Sequence, residues 1–400
     1  MEMRKQYFIG LPSLLLLCAT IVIYTYCSKQ ETEKTALKAK QKNITVDGQN
    51  FFPVGFYGIH FSDTYDNRIS CLNIISANGF NTVVFEDIST DSFGGLLDRS
   101  AELSNVKVLV GLGTESTRSE TDVYIQNSVS ANKDKPALLG WIVSDDADDG
   151  KHPISDLVYR NNLIKSIDPD HDTFLSLTGY DPERRQDRGL YTNITNICLQ
   201  MYPVTPLSSY DVTAQNALTE TYERTLQYVQ AAEKDGKSII MTPQTFKWQE
   251  ESGYRYPTAL ELRNMCYSGI CAGVNGLIAY DFSFDLLNNQ KSLWNEYVAI
   301  KDDILTNDLK EYFMQAPMTR YNTNTTGLYA SYWKSDTDLL LIIVNTNTSS
   351  SKPASIILPT AYSSVTSLFG RMPNTLSLQN RNKMAGNIAA KEVLIYKLHN

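Results

Sequence analysis

Between residues 52 and 305 the chain repeats one unit eight times: a short apolar run of extended character, followed in most units by a longer amphipathic stretch. The runs are Phe52 to Ile59, Thr82 to Phe85, Val108 to Leu112, Leu138 to Val143, Thr173 to Leu177, Ile197 to Met201, Ser238 to Met241 and Gly276 to Tyr280. Strands apolar on both faces, separated by helical stretches, are the pattern of a parallel sheet with crossover helices, and eight of them close into a barrel. The sequence therefore predicts an α/β fold, a (β/α)8 barrel over residues 44–305. Ile44 to Asn50, turning at Asp47-Gly48, is expected to form a hairpin that closes its floor.

Local signals mark the helix limits. Thr258 and Glu261 make a capping-box pair, and Gly273 ends that helix. Asn78-Gly79 is a stop suited to a left-handed cap. Tyr222, Leu226 and Val229, and later Leu293, Tyr297, Ile300 and Ile304, recur at helical spacing.

Beyond residue 310 the helical stretches disappear. Gly327 to Trp333, Leu339 to Val344, Ala354 to Leu358 and Glu392 to Leu398 are short extended runs separated by Asn, Ser, Thr and Pro. Residues 310–400 are expected to be a β-sandwich that packs on the barrel and lends it stability without catalytic groups. At the other end, Arg4 and Lys5 precede an apolar stretch from Tyr7 to Tyr26, so residues 1–27 read as an export signal or membrane anchor and residues 28–43 as a polar linker. Cys27, followed by Ser28 and Lys29, resembles the lipidated cysteine of a bacterial lipoprotein. The alternative is an uncleaved anchor, because about 20 apolar residues span a bilayer. Either way the protein is expected in the cell envelope, touching a membrane through its N-terminus only.

Composition narrows the partners. A net charge of −8 with no block of Lys and Arg argues against nucleic acid. Twenty-four tyrosines and four tryptophans suit stacking on neutral sugar rings as well as core packing. Cys71, Cys198, Cys266 and Cys271 lack zinc-site spacing and read as buried thiols. No phosphate loop, HExxH or Ser-His-Asp order is present, so the sequence calls for no cofactor and no metal.

In such a barrel, chemistry sits just after the strands. The polar residues there are His60, Glu86, Asp87, Glu115, Asp145, Asp146, Tyr202, Gln244, Asp281 and Asp285, with Trp248 close by. The strongest signal is Gly140-Trp141-Ile142-Val143-Ser144-Asp145-Asp146-Ala147, where a buried strand ends in two adjacent carboxylates. Charge at the end of a buried strand needs solvent, partners or a task, and a neighbour's charge can raise one carboxyl into the range of a general acid. A helix cap is the other use for such a residue.

These motifs resemble those of clan A glycoside hydrolases. Val46-Asp47-Gly48, Phe52-Pro53-Val54-Gly55 and Gly79-Phe80-Asn81-Thr82-Val83 look like the opening of that superfamily. Gly140-Trp141 to Ala147 is similar to its Gly-Trp-Tyr-x-x-Asp-Glu-Pro segment, and Gln200-Met201-Tyr202-Pro203 to its sixth strand. Pro257-Thr258 to Arg263 and Gly273 to Tyr280 are similar to its Pro-Thr-x-x-Glu-x-Arg helix and last strand.

The resemblance implies a carbohydrate substrate, with Asp146 at the acid/base position where relatives carry Glu, and Ala147 in place of Pro. It also implies a nucleophilic Glu after the seventh strand, where this chain has Met241-Thr242-Pro243-Gln244. Retention through two carboxylates about 5–5.5 Å apart therefore lacks its usual partner. Three readings follow: a glycosidase recruiting Asp145, Glu86, Asp281 or Asp285 beside Asp146, a carbohydrate-binding pseudoenzyme, and a surface scaffold or adhesin. His60, Tyr202, Gln244, Trp248 and Asp285 are expected to contact the sugar.

Overall fold

A computed structural model describes residues 36–39, 42–59, 64–86, 90–103, 105–113, 117–150, 152–179, 188–204, 217–248, 254–307, 309–369 and 375–400. Strand β1 (Ala36–Ala39) precedes a hairpin of β2 (Ile44–Val46) and β3 (Gln49–Phe51). Asp47 and Gly48 take φ of 51° and 74° there, as a tight hairpin turn demands.

The barrel strands are β4 (Val54–Ile59), β5 (Thr82–Phe85), β6 (Lys107–Gly111), β7 (Leu138–Ser144), β8 (Asp172–Leu177), β9 (Asn196–Met201), β10 (Ile239–Pro243) and β11 (Gly276–Tyr280). They close in the order β10-β11-β4-β5-β6-β7-β8-β9, every pair parallel. Beginning β4 at Phe52 is corrected to Val54, because Pro53 has no N–H for the ladder.

Alternation along the strands sorts side chains between two packings. Tyr57, Val84, Leu109, Ile142, Phe174, Cys198, Ile240 and Ile278 point inward and fill the barrel, with Ile44 of the floor hairpin beneath them. Phe56, Val83, Val108, Trp141, Leu175, Leu199, Met241 and Leu277 point outward and meet the helices. Every strand is thus apolar on both faces, which is why these runs do not alternate in sequence.

The helices follow their sequence signals. Helix α1 (Tyr65–Ala77) stops at Asn78, before Gly79 at φ 78°. After α2 (Thr90–Leu103), α3 (Arg118–Asn132), α4 (Ile154–Ile167), α5 (Arg188–Thr192) and α6 (Ala217–Asp235) comes α7 (Ala259–Ala272), with a complete Thr258–Glu261 capping box and a left-handed Gly273. Among the described residues, Cys71, Cys198, Cys266 and Cys271 are buried thiols. Among the described residues no helix is long and apolar enough to cross a membrane; residues 7–26 and Cys27 lie outside them.

The C-terminal part is all antiparallel. One sheet runs β1-β12-β13-β14-β19-β16, the other β15-β18-β17. These are β12 (Met318–Tyr321), β13 (Leu328–Lys334), β14 (Asp338–Asn345), β15 (Lys352–Ile357), β16 (Ser364–Ser367), β17 (Leu376–Gln379), β18 (Lys383–Ile388) and β19 (Val393–His399).

Strand β14 explains its own unbroken apolar run. Leu340, Ile342 and Val344 join the barrel's core, while Leu339, Leu341 and Ile343 face Ile356, Met384 and Ile388 of the second sheet. Polar bonds fix the junction: Asn264 Nδ2 donates to Asn345 O at 2.9 Å, and Lys391 Nζ reaches Glu261 at 2.8 Å. Residues 36–39, part of the segment expected to be a linker, pair with β12 as an edge strand.

Candidate active site

Strand β7 is positioned by its tryptophan. Trp141 is fully buried and donates from Nε1 to Asp168 at 2.8 Å, while Gly140 has no side chain because a Cβ there would meet Asp172 O at 2.4 Å. The strand ends at Ser144, and Asp146 then takes a left-handed φ of 44°, which an aspartate tolerates better than most residues. The N–H of Ala147 donates to Ser176 O of β8 at 2.9 Å, a bond that proline could not make. This turn places both carboxylates at the strand's C-terminal end. Asp145 is exposed and Asp146 half-buried. Asp148 turns inward, where its carboxylate accepts from Thr178 N and Gly179 N at 2.7 and 3.1 Å and holds the next strand's loop.

Three carboxylates are linked at this mouth. Glu86 follows β5 and lies over Gly111 of β6, where a Cβ would come within 2.4 Å of the Glu86 Cγ. Tyr57, 2% exposed on β4, donates its hydroxyl to Glu86 Oε1 and lies 3.0 Å from Asp145 Oδ1. Gln200 Nε2 of β9 lies 2.8 Å from Asp146 Oδ1, 2.9 Å from Ser176 Oγ and 3.3 Å from Asp145 Oδ1. The order Glu86, Tyr57, Asp145, Gln200, Asp146 is a continuous chain from the second barrel strand to the sixth.

The electrostatics divide these groups. Burial and the charge of Asp145 push the Asp146 carboxyl up to about 6, against the opposing bond from Gln200; Asp148 and Asp149 add to the rise. A carboxyl there holds a proton for part of the time near neutrality and can deliver it. Burial, then Asp145 and Glu86, push the Tyr57 phenol well above its ordinary value, so it stays a donor. Tyr280 is raised by burial and by Asp281, Asp145, Glu86 and Asp146, which places its hydroxyl in the same field.

Beside the carboxylates stands an aromatic wall. Tyr202, after β9, packs on Phe246 at 5.0 Å, Trp248 at 5.7 Å and Tyr280 at 5.8 Å between ring centroids. Tyr280 lies 5.7 Å from Tyr57. Trp248 is 36% exposed, whereas Tyr202 is buried at 5% and braces the wall.

The other expected residues are placed differently. Gln244 is fully buried. Its Oε1 accepts from Val204 N at 2.8 Å and its Nε2 donates to Val204 O and Phe246 O, so the amide stitches two loops together and is not presented to a ligand. Asp285 is exposed on α8 (Phe284–Asn288), where Tyr256 Oη and Asn289 Nδ2 each donate to it at 2.6 Å; these bonds hold its carboxyl below the usual range. Asp281, half-buried after β11, accepts Thr245 Oγ1 on its backbone carbonyl. His60, Asp87 and Glu115 lie outside the described residues.

Sequence reading missed Tyr57 and Gln200 as site residues. Tyr57 carries a signal only as an aromatic on the inward parity of β4, and Gln200 only as the first residue of the segment Gln200-Met201-Tyr202-Pro203. Among the described residues no group of three or more His, Cys, Asp or Glu side chains could hold a metal ion.

No family model matches the chain, and no curated protein does. Solved structures match it in fold. A structure described as a glycoside hydrolase superposes with a TM-score of 0.62 at 11% identity, over 92% of this chain and 97% of its own. A putative glycoside hydrolase from Bacteroides vulgatus gives 0.57 at 10% identity, covering 92% and 82%. A glycoside hydrolase family 5 structure from the same organism gives 0.54 at 12%, covering 92% and 93%. The chain shares their fold, a parallel eight-stranded barrel followed by a small all-β domain.

Proposed function

We propose that this protein hydrolyses O-glycosidic bonds in a glycan, with Asp146 as the general acid. One observation carries the reading: a half-buried carboxyl at a barrel mouth, raised to about 6, stands in a hydrogen-bonded chain with two further carboxylates and beside an aromatic wall. Asp146 donates its proton to the departing glycosidic oxygen, which becomes a neutral alcohol instead of an alkoxide. Burial and the charge of Asp145 keep that proton in place. Trp248 and Tyr280 offer ring faces to the sugar, and the fold's likeness to glycoside hydrolases supports a carbohydrate ligand.

A screen of the full chain against aryl glycosides and polysaccharides, beside Asp146→Asn, tests this. Hydrolysis by the wild type that falls at least about 100-fold in the variant is expected. Inert wild-type protein would sink it.

A second reading, a carbohydrate-binding protein without turnover, is favoured by Gln244. The resemblance implies a nucleophilic Glu there, and the chain has instead an amide committed to Val204 and Phe246. Glycan binding by an inert wild type would decide for it. In both readings we place the protein in the cell envelope, tethered through residues 1–27, on the support of Arg4, Lys5, the apolar stretch from Tyr7 to Tyr26 and Cys27.

A further inference from the structure

Two hydrogen-bond donors stand between carboxylates at the barrel mouth, and each lies nearer to the outer one. Gln200 Nε2 is 2.8 Å from Asp146 and 3.3 Å from Asp145. Tyr57 Oη is closer to Glu86 than to Asp145, which lies 3.0 Å away. A phenol has one proton, and an amide nitrogen has two, one of which serves Ser176 Oγ at 2.9 Å. Asp145 is therefore left with the longer contact of both donors. Glu86 is the nearer acceptor of the Tyr57 hydroxyl, and a hydrogen bond to the charged form of a carboxyl favours that form.

We propose that Glu86 is the second catalytic carboxylate of this barrel and that Tyr57 is the residue that positions it. This rests on the hydrolase reading above. It moves the partner of the acid from the seventh strand, where Gln244 is committed to the backbone, to the second. Gly111 supports the assignment, since any side chain there would occupy the space of the Glu86 stem. Among the described residues, Asp145 after β7, Cys198 of β9 and Tyr280 of β11 face this pair.

Asp145 lies between Glu86 and Asp146 in the bonded chain. The pair is assigned to inversion, in which the two working carboxyls stand about 6.5–9.5 Å apart to admit a water. The water oxygen bonds to the anomeric carbon as the bond from that carbon to the glycosidic oxygen breaks. The glycosidic oxygen takes the proton of Asp146, and Glu86 takes the proton released by the water. The sum is the addition of one water.

The test uses the full chain and an activated aryl glycoside, comparing Glu86→Ala, Asp145→Ala and Tyr57→Phe with and without sodium azide. Glu86→Ala should lose about 100-fold to 10,000-fold in rate. Azide should restore turnover to it by supplying the anion that attacks the anomeric carbon, expelling the aryl oxide and leaving a glycosyl azide. Asp145→Ala should lose less and show no azide rescue.

Tyr57→Phe should lower kcat by about tenfold, the equivalent of about one hydrogen bond to a charged group, with KM little changed. It should also move the acid limb of kcat/KM to higher pH, a change that a merely structural role would not produce. Should Glu86→Ala fold poorly, the near-isosteric Glu86→Gln is read for the same loss of rate.

A Glu86 variant that keeps more than a tenth of the wild-type rate, or azide rescue of Asp145→Ala in its place, overturns the assignment while leaving the hydrolase reading standing. Wild-type protein that turns over no glycoside removes both.

Discussion

The side-chain amide of Gln200 donates to Asp146 Oδ1 at 2.8 Å, joining the sixth barrel strand to the turn after the fourth. Without it Asp146 would be raised further, because this bond favours the anion while burial and the charge of Asp145 oppose it. The balance near 6 suits an acid that must be protonated to act and deprotonated to be recycled.

Activity should therefore fall as pH rises through about 6, where Asp146 loses its proton. The pH profile of kcat/KM on a chosen glycoside checks this. A rate still rising above pH 8 would take the acid role from Asp146. Gln200→Leu removes the opposing bond, so its basic limb should move to higher pH.

The same group sets a pH dependence of stability. Asp146 binds its proton more tightly in the folded chain, at about 6, than in the unfolded chain, at about 3.9. Its contribution is present in full below about pH 4 and lost as pH rises through about 6. Asp146→Asn carries no such cost, so its melting temperature should gain on that of the wild type between pH 4 and pH 7. Parallel curves for the two proteins would contradict the raised value.

Gln244→Glu, which restores the residue type the resemblance implies, should not create or raise activity. The substitution removes the N–H donors that serve Val204 O and Phe246 O and buries a charge. Leaving such groups unsatisfied costs about 1–3 kcal/mol, which a denaturant titration would register. A faster, equally stable variant would mean that this side chain faces the substrate after all.

Ile342→Ala and Ile343→Ala should each destabilise the protein by about 2–5 kcal/mol, although the two side chains point to opposite faces of β14. Ile342 packs on the barrel and Ile343 on the second sheet, both fully buried. Deleting residues 310–400 would expose the apolar barrel surface under Ile342 and should give aggregated protein. A soluble truncation with the wild-type melting temperature would refute this packing.

The barrel was legible in the sequence because its signals are local. Strands buried on both faces appear as unbroken apolar runs, and Thr258, Glu261, Gly273, Asp47 and Gly48 set caps and a turn through bonds spanning a few residues. The weaker strands were not legible. In β16 exposed and half-buried residues alternate, and β1 forms an edge by pairing with β12, some 280 residues away in the chain. Edge strands need less apolar content, so composition does not announce them.

The pair Asp145-Asp146 was likewise readable, since charge directly after a buried strand has few explanations. Sequence determined which residues stand at the strand ends; tertiary structure decided which of them meet. Gln244 and Asp285 occupy the right ends and turn to the backbone and to Tyr256, whereas Tyr57, lodged within a strand, reaches Glu86 and Asp145. The reason is geometric. Closing eight strands brings side chains of β4 and β9 within a hydrogen bond of residues just after β5 and β7, and no spacing along the chain encodes a distance measured across the barrel.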